Sequence, residues 1–231
     1  MKIILSEKIL SEFDKEYFSP RYAGVFFTPD EGDNIFELPN EDAFPFWVFD
    51  RYHRYYRILG YLSSLFNNKV LIDIGTRRGH SASSLAFNEN NIIYTYNNVD
   101  EDIENDAFSK FDNINYWVLR SVDDTPLGNI LSREEHAEIV LKSDLIFMDT
   151  DPHDGANEKH LFDFLLDNNY NGITLWDDIG KRHVNKFKPL GQWWDEVSSN
   201  VNVKSYDITQ YSWPESGTGI VCFGEQEIVL R

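Results

Sequence analysis

From residue 70 onward the chain alternates apolar runs of strand length with longer runs of helical period, and that alternation constrains the fold more than any other feature. "KVLIDIG", "NIIYTY", "INYWVLR", "DLIFMD" and "GITLWDD" read as strands, separated by helical stretches through "SASSLAF", "EEHAEIVLK" and "NEKHLFDFLLDN". After a short helix in "GQWWDEVSS", "VNVKSYDI" and "TGIVCFG" close the chain as a hairpin-like pair of strands. Alternating β and α units build an α/β, doubly wound sheet of seven strands, mostly parallel, with helices on both faces. In such sheets ligands bind outside the carboxyl ends of the strands, near the switch in strand order. Every polar motif below stands at such an end.

The residues before this pattern differ. Residues 1–46 mix aromatics with Pro, Gly and Asp and are expected to form an irregular N-terminal arm or cap, with residues 47–231 as the main domain. From Val48 to Phe66 the spacing of Phe49, Tyr52, Tyr56, Leu59 and Leu62 predicts a helix with one buried stripe. His53 within it reads as a surface or core histidine. The start "MKIILSEKIL" is too briefly apolar for a signal peptide, and no run approaches membrane-spanning length. The single cysteine, Cys222, lies in the apolar run "GIVCF" and reads as a buried thiol. Together these predict a soluble protein of a reducing compartment, the cytoplasm (a host's, if the chain is viral).

Charge narrows the ligand. Lys+Arg 21 against Asp+Glu 39 gives −18, which repels a phosphate backbone and excludes nucleic acid as the expected partner. A neutral or cationic small ligand, or a divalent metal, suits this field. Most of the acids read as solvated surface.

The stretch "VLIDIGTRRGHSA" runs from strand through Gly75 and Gly79 to Ser81, which is placed to begin a helix. The glycines permit a tight turn and close approach of a ligand. The spacing is not that of a nicotinamide dinucleotide loop, and it lacks a Walker lysine. Asp73, Gly75, Gly79 and Ser81 resemble the first motif of class I S-adenosylmethionine-dependent methyltransferases, in particular the metal-dependent catechol and caffeoyl-CoA O-methyltransferases. The resemblance covers about residues 47–225 and implies a Rossmann-like sheet whose final strand is inserted antiparallel. It also implies a cofactor site formed by Asp73, Gly75, Thr76, Gly79, Ser81 and Asp149. Arg77, Arg78 and His80 depart from the motif; the two arginines either point outward or serve an anionic group on the acceptor. The family's ribose-binding acid is expected after the second strand, where "NNVD" places Asn97 or Asn98, with Asp100 slightly beyond. Ser121, Val122 and Asp123 in "LRSVDD" match the segment that flanks the adenine.

Two acidic clusters end apolar strands: Asp149 and Asp151 in "DTD", and Asp177 and Asp178 in "LWDD". Neighbouring strands lie about 4.8 Å apart, so carboxylates at their ends raise one another's pKa. A hard divalent ion removes that cost, and oxygen ligands suit Mg²⁺, Mn²⁺ or Ca²⁺ rather than zinc, with Mg²⁺ or Mn²⁺ the expected ion. The resemblance implies Asp149, Asp177 and Asp178 as the metal ligands, as in catechol-type enzymes and in sugar O-methyltransferases. The bound metal would grip neighbouring hydroxyls of an acceptor, and Asp151 or His153 would take the proton. Sugar methyltransferases have an acid at the place of Asp151. The catechol branch uses a lysine in this loop, and here none precedes Lys159, which favours a sugar, for instance a deoxysugar such as rhamnose in a glycan. A catechol-like small molecule stays open. His183 either lines the acceptor pocket or has no role. Trp176 faces either the sheet interior or the adenine, and core packing is the default for at least one of Trp193 and Trp194.

Two rivals stand beside this reading. "LIFMDTD" is a good D-x-D motif of a metal-dependent glycosyltransferase, which leaves "DIGTRRGHS" and "LWDD" unexplained. A non-catalytic scaffold of the same fold would accommodate the missing ribose acid, but not four aspartates at strand ends.

Overall fold

The computed structural model describes residues 1–18, 56–77, 79–98, 111–119, 126–150, 154–180, 188–212 and 217–231. Its strands are β1 (Lys2–Leu5), β2 (Val70–Ile74), β3 (Ile92–Asn97), β4 (Ile114–Val118), β5 (Leu145–Met148), β6 (Ile173–Asp177), β7 (Lys204–Asp207), β8 (Thr218–Cys222) and β9 (Glu227–Leu230). The seven strands expected from sequence, β2 to β8, form one sheet of order β4-β3-β2-β5-β6-β8-β7. The first five run parallel, while β8 enters antiparallel between β6 and β7. This is the Rossmann-like, mostly parallel architecture expected from sequence. The order reverses at β2, whose neighbours are β3 on one side and β5 on the other. Beyond the carboxyl ends of β2 and β5 lies the switch-point crevice.

The helices are α1 (Glu7–Phe13), α2 over 56–64, α3 (His80–Leu85), α4 (Pro126–Ser132), α5 (Glu134–Lys142), α6 (Ala156–Asp167) and α7 (Lys188–Ser199). Strand side chains alternate between two cores. Leu71, Phe147 and Leu175 pack on one face with Leu10 of α1, Leu59 and Leu62 of α2 and Leu85 of α3. Ile72, Ile146, Met148 and Trp176 pack on the other with α4 to α7. Cys222 is buried in β8, as expected. Of the predicted stripe in the second helix, Leu59 and Leu62 are fully buried and Tyr56 half-buried, whereas Phe49 and Tyr52, like the neighbouring His53, lie outside the described residues.

Residues 1–18 correct the expectation of irregularity. β1 pairs in parallel with β9, from Lys2↔Glu227 to Leu5↔Leu230. Ser6 then caps α1, its hydroxyl accepting from the Ile9 N–H at 3.2 Å, and a π-helical turn follows over Asp14–Phe18. Arg57 of α2, buried, donates to both carboxylate oxygens of Glu7 at 2.9 and 3.0 Å, and the Tyr61 hydroxyl donates to the Ile4 carbonyl. Ile3, Leu5, Leu10, Phe13 and Phe18 therefore belong to the core itself. The expected boundary at residue 46 and the rest of the arm lie outside the described residues. Among the described residues, no helix is long and apolar enough to cross a membrane.

Candidate active site

The glycine loop leaves β2 at Gly75, whose φ of +107° is one that other residues rarely adopt. A Cβ at this position would also run into the Asp149 carbonyl oxygen. Glycine is thus required by the passage of the loop over the end of β5. The N–H groups of Gly75 and Thr76 donate to the Tyr96 carbonyl at 2.9 and 3.2 Å, tying the loop to β3. Gly79, at φ +85°, is the N-cap of α3; Ser81, expected to begin the helix, lies inside its first turn.

Beneath this loop Asp73 is fully buried. Thr95 donates to its Oδ2 at 2.6 Å, and the Thr76 hydroxyl meets the Thr95 hydroxyl at 2.6 Å. Thr95 has one proton, so with Asp73 ionised it is Thr76 that donates to Thr95. Burial pushes Asp73 up to about 6, against smaller downward pulls from the hydroxyls of Thr95 and Ser81. Asp73 thereby clamps β2, β3 and the glycine loop together.

At the end of β3, Asn97 is 7% exposed. Its Oδ1 accepts from the Asn98 N–H at 3.1 Å, while its Nδ2 has no hydrogen-bond partner. Of the residues expected near a ribose, Asn97 therefore offers a free, nearly buried donor at the mouth of the crevice, and Asn98 is half-buried beside it.

Asp149 follows β5, and Asp177 ends β6. The parallel register Met148↔Trp176 puts these two ends side by side. In a continuing strand, Asp177 and Asp178 would point to opposite faces. Asp178 instead has φ +56°, a left-handed turn that aspartate tolerates better than most residues. The alternation breaks there, and each of Asp149, Asp177 and Asp178 brings a carboxylate oxygen within 4.8 Å of the others. All three residues are half-buried. Burial of the Asp177 carboxyl, followed by the charges of Asp149 and Asp178, holds it well above the usual carboxylate range. The Thr218 hydroxyl of β8 donates to Asp177 Oδ1 at 3.3 Å and offsets part of that shift. Three carboxylate oxygens gathered this closely are a donor set that fits a hard divalent ion.

Sequence reading passed over Glu158. It sits in the first turn of α6, 3% exposed, and burial pushes it up to about 7 with help from Asp154 and Asp178. A signal was present. Positions 158, 161, 162 and 165 share one helix face, and Leu161, Phe162 and Leu165 are its buried members. A glutamate continuing an apolar stripe marks a carboxyl drawn inside.

Trp176 resolves to the sheet interior: its ring lies 4.9 Å from that of Trp193, and its Nε1 donates to Thr174 Oγ1 at 2.6 Å. Trp193 and Trp194 are both core. Arg77 is exposed, the outward alternative for that arginine. Arg78, Asp100, Ser121, Val122, Asp123, Asp151, His153 and His183 lie outside the described residues.

No protein-family model matches the sequence, and no curated protein matches it. Solved structures do. An O-methyltransferase from Bacillus cereus in complex with SAH aligns over 94% of this chain and 90% of its own, with TM-score 0.53 at 13% identity. The O-methyltransferase of tomaymycin synthesis from Streptomyces achromogenes, in complex with SAM, aligns over 72% and 78% with TM-score 0.53 at 14% identity. An SAH-bound methyltransferase from Podospora anserina aligns over 74% and 78% with TM-score 0.53 at 15% identity. The chain has the fold of these methyltransferases.

Proposed function

We propose that this protein is an S-adenosylmethionine-dependent O-methyltransferase that uses a divalent cation, Mg²⁺ or Mn²⁺. The observation that carries the reading is the convergence of Asp149, Asp177 and Asp178 within 4.8 Å, beside a glycine loop on the neighbouring strand of a methyltransferase fold. Asp149, Asp177 and Asp178 would hold the ion. Gly75, Thr76, Gly79, Ser81, Asn97, Asn98 and Asp149 would surround the cofactor over the clamp made by Asp73, joined by Asp100, Ser121, Val122 and Asp123. The bound ion would make a hydroxyl it touches easier to deprotonate.

The chain's own contribution is placement. Gly75 lets the cofactor loop pass directly over Asp149, so methyl donor and acceptor meet at adjoining strand ends. Asp151 is the residue we assign as base, with His153 second. It would take the proton of the acceptor hydroxyl, and the sulfonium of the bound cofactor would supply the methyl group to that oxygen, its sulfur keeping the electron pair. We assign the acceptor to sugars with neighbouring hydroxyls, such as a deoxysugar in a glycan. The support is an acid rather than a lysine at the base position, together with the acidic field of the chain.

Calorimetric titration of S-adenosylhomocysteine, with UDP- and GDP-sugars as comparison, tests the cofactor. Micromolar binding of S-adenosylhomocysteine alone supports the reading. Mn²⁺-dependent binding of a nucleotide sugar in its place identifies a glycosyltransferase, and binding of neither leaves a scaffold. Methyl transfer to sugars and catechols, with and without chelator, then separates the acceptors.

A further inference from the structure

Glu158 has two carboxylate oxygens in different situations. Gly155 is the N-cap of α6, which makes Glu158 the third residue of the helix, the position from which a glutamate reaches back to the N-cap N–H. The N–H groups of Gly155 and of Glu158 itself do pull toward this carboxyl. Capping suits one oxygen from this position. The other, Oε2, is buried and has no hydrogen-bond partner. Among the described residues Glu158 forms no ion pair, and the adjacent Lys159 is bound to Asp163 at 2.8 Å. Among the described residues, the side-chain charges that act on this carboxyl are those of Asp154 and Asp178, both negative. A buried carboxylate under the charge of other carboxylates is costly unless a positive ion completes the set.

We infer that Glu158 belongs to the cation site as an outer carboxylate, strengthening its hold on a divalent ion without being one of the three ligands. This rests on the metal-dependent reading above. Glu158 stands outside the group whose oxygens lie within 4.8 Å of one another, so it acts on the ion through its charge and through groups bound to the ion. It is a positioning residue. Outer-shell partners of this kind change metal affinity by about 10–100-fold when removed.

The test is Mn²⁺ titration of the full chain by calorimetry, with the ion-induced rise in melting temperature as a second readout. The wild type is expected to bind one Mn²⁺, and Asp177→Asn to abolish it. Glu158→Gln, which keeps the size and one side-chain oxygen for capping, is expected to bind about tenfold more weakly. Its melting temperature without metal should be unchanged or higher, and the rise on adding Mn²⁺ smaller. A helix cap alone would lower the metal-free melting temperature and leave Mn²⁺ affinity untouched. Equal affinity in Glu158→Gln and wild type overturns the inference alone, whereas no binding by the wild type overturns it together with the metal reading. Should Glu158→Gln fail to fold, Glu158→Asp, which withdraws the charge by one methylene, is judged by the same affinity criterion.

Discussion

Thr218 and Asp177 face each other as Cα partners across the antiparallel pair β6–β8, and the Thr218 hydroxyl donates to Asp177 Oδ1 at 3.3 Å. The strand that runs against the rest of the sheet thus supplies a hydrogen bond that steadies the strongly perturbed carboxyl of Asp177. Removing the donor leaves a half-buried carboxylate oxygen short of a partner. Thr218→Val keeps the shape of a fully buried side chain. It is expected to fold, to raise the pKa of Asp177 further and to weaken Mn²⁺ binding about tenfold. Calorimetry at two pH values checks this: the loss in affinity should be larger at the lower pH, where protons compete harder for Asp177.

Gly75→Ala should do more harm than any other single methyl in this region. It places a Cβ against the Asp149 carbonyl at a φ of +107°. Backbone must move in β2 or β5, and both are central strands. A loss of about 3 kcal/mol or more is expected, read as a shifted denaturant midpoint. Gly79→Ala, at φ +85° on the helix cap, should cost about 1–2 kcal/mol. Equal losses at the two glycines would contradict this account of the loop.

How legible these features were depends on how local their cause is. β2, β3, β5 and β6 announce themselves because strands buried on both faces are continuous apolar runs. Asp149 and Asp177 were readable as the abrupt ends of such runs. β1 and β9 were not, because "KIIL" and "EIVL" are short and pair only with each other across the whole length of the chain. Nor could the sequence show that Asp178 turns left-handed and so joins Asp177 on one side. Glu158 was hidden differently: its stripe was visible, but in an acidic chain a helical glutamate reads first as surface. The replacement of Ser81 by Gly79 as helix cap is a smaller case, since glycine and serine both cap and only the φ decides.

Asn97 gives a prediction with the opposite sign from most. A carboxylate accepts both ribose O–H bonds at once, whereas an amide has a single oxygen, and here one of its two acceptor sites is used by the Asn98 N–H. Asn97→Asp restores the charge-assisted pair at the mouth of the crevice. Titration of S-adenosylhomocysteine should show binding tightened by about tenfold, on the order of 1.4 kcal/mol. Unchanged or weaker binding would mean that the ribose is held elsewhere, with Asn98 or Asp100 as the next positions to exchange.

Three carboxyls set the pH response of the metal-free protein. Asp73 is raised to about 6, Glu158 to about 7, and Asp177 well above its ordinary value. A carboxyl whose folded pKa lies above its unfolded one favours folding in its neutral form. Its contribution is complete below the unfolded pKa, near 4, and is lost as pH rises through the folded pKa. For Asp73 and Glu158 the window is therefore about pH 4 to 7, and the rise of Asp73 to about 6 corresponds to at most about 3 kcal/mol. In chelator, the melting temperature is expected to fall as pH rises from 5 to 7.5. The net charge of −18 adds repulsion over the same range, so the slope alone does not identify these groups. Glu158→Gln and Asp177→Asn, which cannot ionise, should each flatten it. Mn²⁺ at pH 7.5 should return the wild type toward its pH 5 melting temperature while leaving Asp177→Asn where it was. A slope that neither substitution nor Mn²⁺ alters would place the pH response elsewhere in the chain and leave the three-carboxylate cluster without its ion.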